Sequence, residues 1–467
     1  MDPLESLTAL LPEGAVSTHP GELALRARDW WALAMLREAR GERPDPPMAV
    51  AFPTSTEEVA AVLTWARETS TVVVPRGGGS GVCGGAQAIR RSVVLDLSRM
   101  AEVIDIDAES QAAEVQAGVR GERLERALGE RGLTLGHYPQ SLALSTVGGW
   151  IAAGSAGQAS AGYGVIEDLL LGLVVCLADG QVLRLRPVPR SAAGPDIRRL
   201  FVGSEGTLGV VTEATLSASR LPGDLRWVCA APRDFLQGAG VAREVIQRDL
   251  RPLVVRLYDE ADAALAFGSL GHQGGPVLLL GFADRREADA RAAAELTGDG
   301  RPLDEGFGRH WWDHRFDAVD LYRSVMGEER SLGTGVIVDT MEVAALWSRL
   351  AGLYSAVHDT LARHAEAVGC HLSHPYRSGA SLYFTFLVRA ADDRAAEDAY
   401  LRCWRSAAES CHGAGGTVSH HHGVGVLKAP FMEEELGPAG VGALRAIRDG
   451  LDPGAILNRG KLIPGGP

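Results

Sequence analysis

Three consecutive histidines stand in the segment GGTVSHHHGVG, residues 415–425. Imidazole titrates near neutrality, so this cluster suits acid–base chemistry or contact with an oxyanion. If the segment is extended, alternation places His420 and His422 on one face and His421 on the other, and the three cannot bind one metal ion. The sequence nominates no third ligand for a two-histidine site, so we predict no metal. A metal site and buried structural histidines are the alternatives.

A glycine-rich loop follows an apolar run in TVVVPRGGGSGVCGGAQAIRRSVVLDL, residues 71–97. It contains G-x-G-x-x-G at Gly79, Gly81 and Gly84, the pattern of a dinucleotide fingerprint. That fingerprint needs a helix after the turn, but only residues 86–91 separate the loop from the next strand-like run, too few for a crossover helix. We therefore predict a strand-to-strand loop whose backbone N–H groups form a nest for a pyrophosphate. A plain glycine-rich hairpin is the alternative.

Two further glycine-rich segments occupy residues 145–170 and 194–218. The first is flanked by apolar strands, and its small side chains let a backbone approach a flat ligand closely. The second has the pattern of a helix, a glycine turn and a strand. Both are candidates for the walls of a ligand site.

The whole chain restricts the class of protein. Its 467 residues are too many for one core, and a net charge of −13 argues against a nucleic-acid partner. The N-terminus has no signal-peptide pattern and no apolar run is long enough to span a bilayer, so we expect a soluble, cytoplasmic protein. The six cysteines fall at no metal or disulfide spacing, which is typical of reduced thiols.

The pattern of elements predicts an α+β chain in four segments. Residues 1–45 are helical, and residues 46–222 begin as β-α-β and carry the three glycine-rich loops. Residues 223–449 alternate strands with Ala-rich helices, although residues 305–329 fit no clear pattern. Residues 450–467 complete the chain.

The ordered motifs resemble the FAD-linked oxidases of the vanillyl-alcohol oxidase and D-lactate dehydrogenase superfamily. The matching pieces are PTSTEEVAAVLTWA, PRGGGSGVCGGA, STVGGW, YGVIEDLLLGL, LFVGSEGTLGVVTEATL and LDPGAILNRGKL. The resemblance implies a two-subdomain FAD-binding domain at 46–222 and an α+β cap domain for the substrate at 223–449. It also implies that residues 450–467 return to the FAD domain.

The resemblance further implies FAD as the cofactor. The glycine loop offers no histidine for a covalent link, and Cys83 stands where backbone should meet phosphate, so we predict noncovalent FAD. The implied contacts are Pro75, Arg76, Gly77, Gly78, Gly79, Ser80, Gly81, Val82, Ser145, Thr146, Gly148, Gly149, Ile166, Glu205, Gly206, Gly209 and Val210.

Within the superfamily, the segment SHHHGVG resembles the corresponding segment of alkylglycerone-phosphate synthases. In 2-hydroxyacid dehydrogenases that segment usually has the pattern S-x-E-H-G-x-G. The pieces PLVVRLYDE and RSGASLYFTF resemble synthase segments with an active-site Arg and a catalytic Tyr, here Arg256 and Tyr383; DTMEVAALW also looks more like that branch. The implied roles are an anion contact for Arg256 and proton transfer for Tyr383 and His421 or His422, with His420 in the same cluster. An Arg256 paired with Asp259 or Glu260 on a surface strand is the alternative.

The resemblance implies exchange of the acyl group of an acyl-dihydroxyacetone phosphate for a fatty alcohol, with the carbon held on flavin N5 between the two steps. A FAD-dependent dehydrogenase or oxidase of a 2-hydroxyacid or other small alcohol is the alternative. The expected partner is a small-molecule or lipid-like substrate, with at most peripheral membrane contact, and a homodimer is left open. The cluster around Trp311, Trp312, Phe316 and Leu321 is interpreted as core packing, with a lipid tunnel as the alternative.

Overall fold

The structure is a computed structural model that describes residues 2–42, 46–272, 274–298 and 300–463. Residues 43–45, at the first predicted boundary, and residues 464–467, at the end of the predicted last segment, lie outside the described residues. The fold is α+β, which confirms the predicted class.

The helices are α1 (Pro3–Leu10), α2 (Pro20–Arg26), α3 (Ala32–Ala39), α4 (Thr56–Thr69), α5 (Gly121–Gly129), α6 (Val147–Ala153), α7 (Ser160–Tyr163), α8 (Ile166–Leu169), α9 (Arg198–Phe201), α10 (Phe235–Gln247), α11 (Glu260–Phe267), α12 (Glu287–Leu296), α13 (Gly306–His314), α14 (Ala318–Met326), α15 (Trp347–Ala362), α16 (Asp393–Gly413) and α17 (Met432–Leu451). The segment 305–329, which the sequence pattern left unplaced, forms α13 and α14.

The strands are β1 (Val16–Ser17), β2 (Ala49–Ala51), β3 (Val73–Arg76), β4 (Val93–Asp96), β5 (Val103–Asp107), β6 (Ala112–Gln116), β7 (Leu133–Thr134), β8 (Leu170–Cys176), β9 (Val182–Leu185), β10 (Val210–Ser217), β11 (Ser219–Arg220), β12 (Leu225–Ala231), β13 (Val254–Tyr258), β14 (Val277–Ala283), β15 (Arg301–Leu303), β16 (Val336–Leu346), β17 (Ala367–Pro375) and β18 (Gly379–Arg389).

The first half of the chain contains a two-stranded sheet of β7 and β11 and two larger sheets. One has the order β1-β2-β4-β3 and the other the antiparallel order β5-β6-β10-β8-β9. Helix α4 packs against β8 and β10. Ser55 caps this helix by accepting the Glu58 N–H, and the apolar side chains of Val59, Val62 and Leu63 are fully buried. Burial of each of these side chains stabilises the packing by roughly 1.5–3 kcal/mol.

The glycine loop joins β3 to β4 without a helix, as predicted. The two strands run parallel, with Val73 opposite Val93 and Arg76 opposite Asp96. A hairpin would require an antiparallel pair, so the hairpin alternative is wrong. Residues 77–92 instead cross from the end of one strand to the start of its parallel neighbour as irregular backbone.

The second half is built on a seven-stranded antiparallel sheet of order β15-β12-β14-β13-β17-β18-β16. Alternate side chains of the central strands, such as Val255 and Leu257, pack into the core together with α10, α15 and α16. The intervening residues Arg256 and Tyr258 therefore point to the opposite face. That face is the one that contributes to the site.

The two ends of the chain tie the halves together. Leu7 of α1 packs in the core of the first half, whereas Leu33 of α3 packs in the core of the large sheet. Near the other end, Leu457 forms a parallel bridge with Val73 of β3. Among the described residues, no helix combines the length and the hydrophobicity of a membrane-spanning segment.

Candidate active site

A cavity of about 1320 Å³ lies between the glycine-rich loops of the first half and the face of the large sheet opposite α15 and α16. Side chains of α11, α13 and α14 contribute to its walls. Most of the residues that carried the sequence hypotheses meet at this cavity, although they come from segments far apart in the chain.

The glycine loop presents free backbone donors to the cavity. Residues 78–82 line it, and none of their N–H groups donates a hydrogen bond to the described part of the chain. Gly79 has φ of +65°, and a Cβ on Gly78 would lie 2.0 Å from the Leu144 carbonyl oxygen. Consecutive free N–H groups in a turn make a concave anion site, so this loop fits the pyrophosphate of a dinucleotide.

The other predicted cofactor contacts also lie at this cavity, with one exception. Ile166, the first residue of α8, is fully buried in the core of the first half and does not line the cavity, because this short helix packs Ile166 and Leu169 inward. The predicted contacts that line the cavity are Pro75, Arg76, Gly77, Gly78, Gly79, Ser80, Gly81, Val82, Ser145, Thr146, Gly148, Gly149, Glu205, Gly206, Gly209 and Val210.

Glu205 connects the glycine loop to the histidine segment. Its carboxylate accepts the N–H groups of Val424 and Gly425, each at 2.8 Å. Asn458 Nδ2 donates to the carbonyl oxygens of Glu205 and Gly85, at 2.6 and 2.9 Å. Burial raises the pKa of Glu205 to about 7. These hydrogen bonds fix the glycine loop, Glu205, the histidine segment and Asn458 relative to one another.

A row of polar side chains crosses four strands of the large sheet on the cavity side. The register places Tyr258 opposite His371, His371 opposite Tyr383, and Tyr383 opposite Glu342. Directly opposite residues of antiparallel strands share a face. The next rows along the same face are Gly369, Thr385 and Thr340, followed by Ala367, Leu387 and Val338. This face therefore changes from polar to small and apolar.

The three consecutive histidines lie in bends rather than in a strand, so the alternation expected of an extended segment is wrong. His420 Nδ1 is 2.9 Å from His421 Nδ1, and His420 Nε2 is 2.7 Å from the Tyr376 hydroxyl. His374 of β17 adds a third imidazole, and the ligand atoms of His374, His420 and His421 all lie within 4.8 Å of one another. The fold thus supplies the third histidine that the sequence did not nominate.

Burial sets the protonation of this cluster. It lowers the pKa of His420 to about 4 and holds the pKa values of His421 and His374 well below the ordinary value, and the neighbouring imidazoles act in the same direction. These imidazoles are consequently neutral at pH 7. His421 and His422 line the cavity, whereas His420 lies behind them against Tyr376.

The Glu342 side chain contacts the segment that contains the three histidines. It accepts the N–H of His422 at 2.9 Å and lies 3.2 Å from His422 Nδ1. Lys428 Nζ is 2.6 Å from the same carboxylate, and both side chains are fully buried. Although desolvation opposes it, electrostatic interactions with His422 and Lys428 hold the pKa of Glu342 far below its ordinary value. A carboxylate beside Nδ1 of His422 favours the imidazolium that forms when this ring accepts a proton.

Arg256 is buried, with 4% of its surface exposed, and it forms no ion pair with the described residues. Its guanidinium lies over the Trp311 ring at 5.2 Å, and its Nε has no hydrogen-bond partner. The alternative of a surface pair with Asp259 or Glu260 is therefore wrong; Asp259 accepts the Cys370 N–H at 2.8 Å instead. A buried, unpaired cation on a cavity wall is a site for an anion.

Arg315 is a second cation on the cavity wall without a carboxylate partner among the described residues. Its guanidinium lies 3.8 Å from the Trp312 ring centroid, and its Nε also has no hydrogen-bond partner. The side-chain oxygen of Gln158, another lining residue, is likewise unpartnered. Buried polar atoms in proteins are rarely left without a partner. The unpartnered Nε atoms of Arg256 and Arg315 and the side-chain oxygen of Gln158 therefore indicate a polar ligand.

Part of the cavity wall is apolar, and we refer to this part as the apolar arm. The arm lies along the apolar rows of the sheet and is lined by Leu265 and Ala266 of α11 and Val319, Leu321 and Val325 of α14. Leu265 is 81% exposed and Leu321 is 66% exposed. Large apolar side chains that face both a cavity and solvent mark the opening of an apolar path.

Residues of the aromatic cluster pack in cores, as interpreted, and two residues of the cluster also line the cavity. Trp311 lines the cavity and is also packed in a core with Trp227 and Tyr258. Trp312 and Phe316 are half-buried and pack against cores, whereas Leu321 lines the arm.

His371, His374, Glu342 and Lys428 were not nominated by any motif. Glu342 and Lys428 carried a usable signal, because each is a single charge within an apolar stretch, TMEVAAL and GVLKAPF. A charge in such a context is either exposed or paired, and only the fold shows that the two charges meet.

The fold and the cavity indicate a flavin-dependent enzyme. Residues 47–186 match the family model described as FAD binding domain, and residues 221–462 match the one described as FAD linked oxidases, C-terminal domain. The chain therefore belongs to the FAD-linked oxidase family and uses FAD as its cofactor. The predicted family, fold class and cofactor are confirmed.

Relatives of different activity share this family. The chain is 34% identical to the uncharacterized FAD-linked oxidoreductase YgcU of Escherichia coli (strain K12), over 90% of this chain and 89% of that one. It is 31% identical to alkyldihydroxyacetonephosphate synthase of Trypanosoma brucei brucei, over 94% and 76%. It is 30% identical to the glycolate oxidase subunit GlcD of Bacillus subtilis (strain 168), over 89% of each chain.

A solved alkyldihydroxyacetonephosphate synthase has the same fold. It superposes with a TM-score of 0.79 at 22% identity, over 98% of this chain and 84% of that one.

Proposed function

We propose that the protein is a FAD-dependent transferase that exchanges the acyl group of an acyl-dihydroxyacetone phosphate for a fatty alcohol. The observation that carries this proposal is the two-part lining of the cavity, which combines the glycine loops, arginines without an ion-pair partner and neutral imidazoles with an apolar arm. Such a shape suits a substrate with an anionic head and a long chain. The likeness to the synthase of Trypanosoma brucei brucei supports the same reaction.

The phosphate of the substrate is assigned to Arg256 and Arg315. Both side chains line the cavity, and neither forms an ion pair with a carboxylate among the described residues, although the charge of Asp313 acts on Arg315 at longer range. A phosphate dianion would satisfy two guanidinium groups at once, and charge-assisted hydrogen bonds of this kind are stronger than neutral ones. Burial without a partner lowers the pKa of Arg256, so binding of an anion is more favourable there than at the surface.

His422 is the proposed base for the carbon-bound proton. It lines the cavity, and the Glu342 carboxylate lies 3.2 Å from its Nδ1, which leaves Nε2 to accept the proton. Burial raises the pKa of Tyr383, so its phenol stays protonated and is suited to donate a hydrogen bond to a substrate oxygen. His420 and His421 position the segment that carries His422.

Bound FAD supplies a ring that takes up electron density from the reacting carbon. Residues 78–82, with Thr146 and Gly206, are the proposed contacts that hold it. Attachment is proposed to be noncovalent, because burial holds the pKa of the Cys83 thiol well above its ordinary value and a thiol is a poor nucleophile.

A dehydrogenase or oxidase of a 2-hydroxyacid is the second candidate. Arg256 would suit a carboxylate as well as a phosphate, and the likeness to GlcD of Bacillus subtilis supports this alternative. The apolar arm disfavours it, because a small hydroxyacid makes no use of such a path.

Two measurements on the purified holoenzyme separate these candidates. The first incubates it with palmitoyl-dihydroxyacetone phosphate and hexadecanol and detects the ether product and free palmitate by mass spectrometry. The second mixes it anaerobically with glycolate, D-lactate and 2-hydroxyglutarate and follows the flavin absorbance. Ether formation without flavin bleaching supports the transferase, whereas bleaching by a hydroxyacid and no ether product would establish the dehydrogenase.

A further inference from the structure

A second carboxylate–imidazole pair lies in the same cavity. Asp262 Oδ2 is 2.7 Å from His371 Nδ1, and each side chain is 13% exposed. Both residues line the cavity. His371 and Glu342 stand opposite Tyr383 from the two strands that flank β18, so Tyr383 lies between the pair Asp262–His371 and the pair Glu342–His422.

The free nitrogen of His371 is available to a ligand. A carboxylate can only accept a hydrogen bond, so Nδ1 carries the proton and Nε2 keeps its lone pair. Nε2 has no hydrogen-bond partner among the described residues and is not enclosed by them. An imidazole held in this way by a carboxylate is the arrangement of a general base.

His371 lies where the polar part of the cavity meets the apolar arm. Its ring stacks on Tyr383 with the centroids 4.7 Å apart, and the next cavity-facing residues of its strand are Gly369 and Ala367. Helix α11, which carries Asp262, also carries the arm-lining Leu265. The polar end of a chain lying in the arm would reach His371.

The proposed exchange removes a proton from carbon, which is returned to the same carbon in the product, and a proton from the alcohol hydroxyl, which is released. We propose that His371, positioned by Asp262, is the base that accepts the hydroxyl proton of the incoming alcohol, an inference that rests on the proposed function. The O–H bond breaks, its proton passes to His371 Nε2, and the oxygen electron pair forms the ether bond to the glycerone carbon. That carbon loses its bond to the ester oxygen, whose electron pair leaves with the fatty carboxylate, so no electron acceptor is consumed.

The test compares two acceptors that differ only in whether a proton must be removed. A carboxylate reaches the enzyme already ionised, whereas an alcohol does not. The holoenzyme is therefore assayed with palmitoyl-dihydroxyacetone phosphate and either isotopically labelled palmitate, which reports acyl exchange, or hexadecanol, which reports ether formation. The variants are His371→Asn, whose amide can still donate to Asp262 from near the Nδ1 position, and Asp262→Asn.

We expect His371→Asn to lower kcat for hexadecanol about 100-fold or more, the usual effect of losing a general base. The KM for hexadecanol and the rate of palmitate exchange should stay within about threefold of wild type, since neither depends on that proton transfer. Asp262→Asn should lower kcat for hexadecanol roughly tenfold because it removes only the group that positions His371, and Asp262→Glu should restore part of the loss.

His412→Gln is the matched control. His412 Nε2 lies 2.9 Å from Glu435 Oε2, the two side chains are 17% and 19% exposed, and neither lines the cavity. This variant should leave both reactions unchanged. An equal loss of both reactions in His371→Asn, or no loss in either, would overturn the assignment. If wild type catalyses neither reaction, the proposed function itself fails; if it catalyses exchange and ether formation, only the role of His371 is in question.

Discussion

Lys428 Nζ lies 2.6 Å from Glu342 Oε1, and neither side chain has any surface exposed to solvent. Glu342 also accepts the N–H of His422, so one buried ion pair supports the segment that carries the proposed base. Stability and catalysis can be separated at this pair, because Lys428 contacts Glu342 and Ser419 rather than His422 itself.

We expect Lys428→Met to destabilise the protein by about 3–5 kcal/mol, because it leaves a buried carboxylate without its partner. The double variant Glu342→Gln/Lys428→Met removes both charges and should recover at least half of the loss in Tm. Its kcat should remain at least 100-fold below wild type, since His422 has lost the carboxylate beside it. A double variant as unstable as the single one would show that the ion pair is not the source of the effect.

Gly78→Ala should abolish retention of FAD. The new Cβ would lie 2.0 Å from the Leu144 carbonyl oxygen, so the loop must move and the nest of free N–H groups is lost. The measurement is the flavin-to-protein absorbance ratio after gel filtration, with a loss of at least tenfold expected.

Gly129→Ala in α5 is the control for this variant, since a Cβ there meets nothing within 4 Å. Denaturation of the wild-type protein should release all of its flavin into a filtrate, which is the outcome expected of noncovalent attachment. Flavin that stays with the denatured chain would contradict it.

Arg256→Met and Arg315→Met should each raise KM for palmitoyl-dihydroxyacetone phosphate roughly 10- to 100-fold, since a charge-assisted hydrogen bond contributes about 1.5–3 kcal/mol. The KM for hexadecanol should stay unchanged. Arg309→Gln provides the comparison, because Arg309 is an exposed residue of α13 whose partner is Glu305. An unchanged KM in both variants would remove these arginines from the phosphate site.

Ala266→Trp should shorten the chain that the enzyme accepts. Ala266 lines the arm, so an indole at this position would fill space needed by hexadecanol but leave room for a short alcohol such as butanol. We expect kcat/KM for hexadecanol to fall at least tenfold and that for butanol to change little. Ala264→Trp, on the exposed side of the same helix, should alter neither value; equal losses for both alcohols would argue against the arm.

The protein should lose stability as the pH falls from about 6.5 to 4. Burial lowers the pKa of His420 to about 4, whereas a histidine of the unfolded chain titrates near 6.5. Between these values the unfolded state binds more protons, so stability rises with pH and is lost on acidification. The contribution is fully present above pH 6.5.

The variant His420→Gln should show a smaller fall in Tm over this range, because the unfolded chain has one proton fewer to bind. His364→Gln, which replaces an exposed histidine, should follow wild type. The same fall in Tm for wild type and His420→Gln would contradict the assigned pKa.

The sequence predicted the cofactor loops better than the second half of the chain. Gly77, Gly78, Gly79 and Gly81 leave the backbone without side chains, so a loop that could receive a phosphate was recognisable without the fold, although the parallel direction of β3 and β4 was not. Strand β17 shows no regular apolar alternation, because His371, Ser373 and His374 interrupt it. These residues are polar because they face the cavity, so the function of the strand obscured its pattern.

Local sequence patterns could not predict contacts between side chains that lie far apart in the chain. Asp262 and His371 are 109 positions apart, and Glu342 and Lys428 are 86 apart. Each position alone is compatible with an exposed side chain, and only strand register and helix packing bring the partners together. The alternation argument for His420–His422 failed for a related reason, since it assumed a regular backbone where the chain bends.

The contact between Asn458 and Gly85 bears on how the protein is made. The Asn458 side chain donates hydrogen bonds to the carbonyl oxygens of Gly85 and Glu205. Lys461 Nζ donates to the Gln87 carbonyl oxygen at 2.7 Å. During translation the glycine loop is complete long before these two residues exist. A nascent chain that has formed β3 and β4 therefore still lacks the groups that anchor the loop, and flavin capture should follow chain release rather than accompany synthesis.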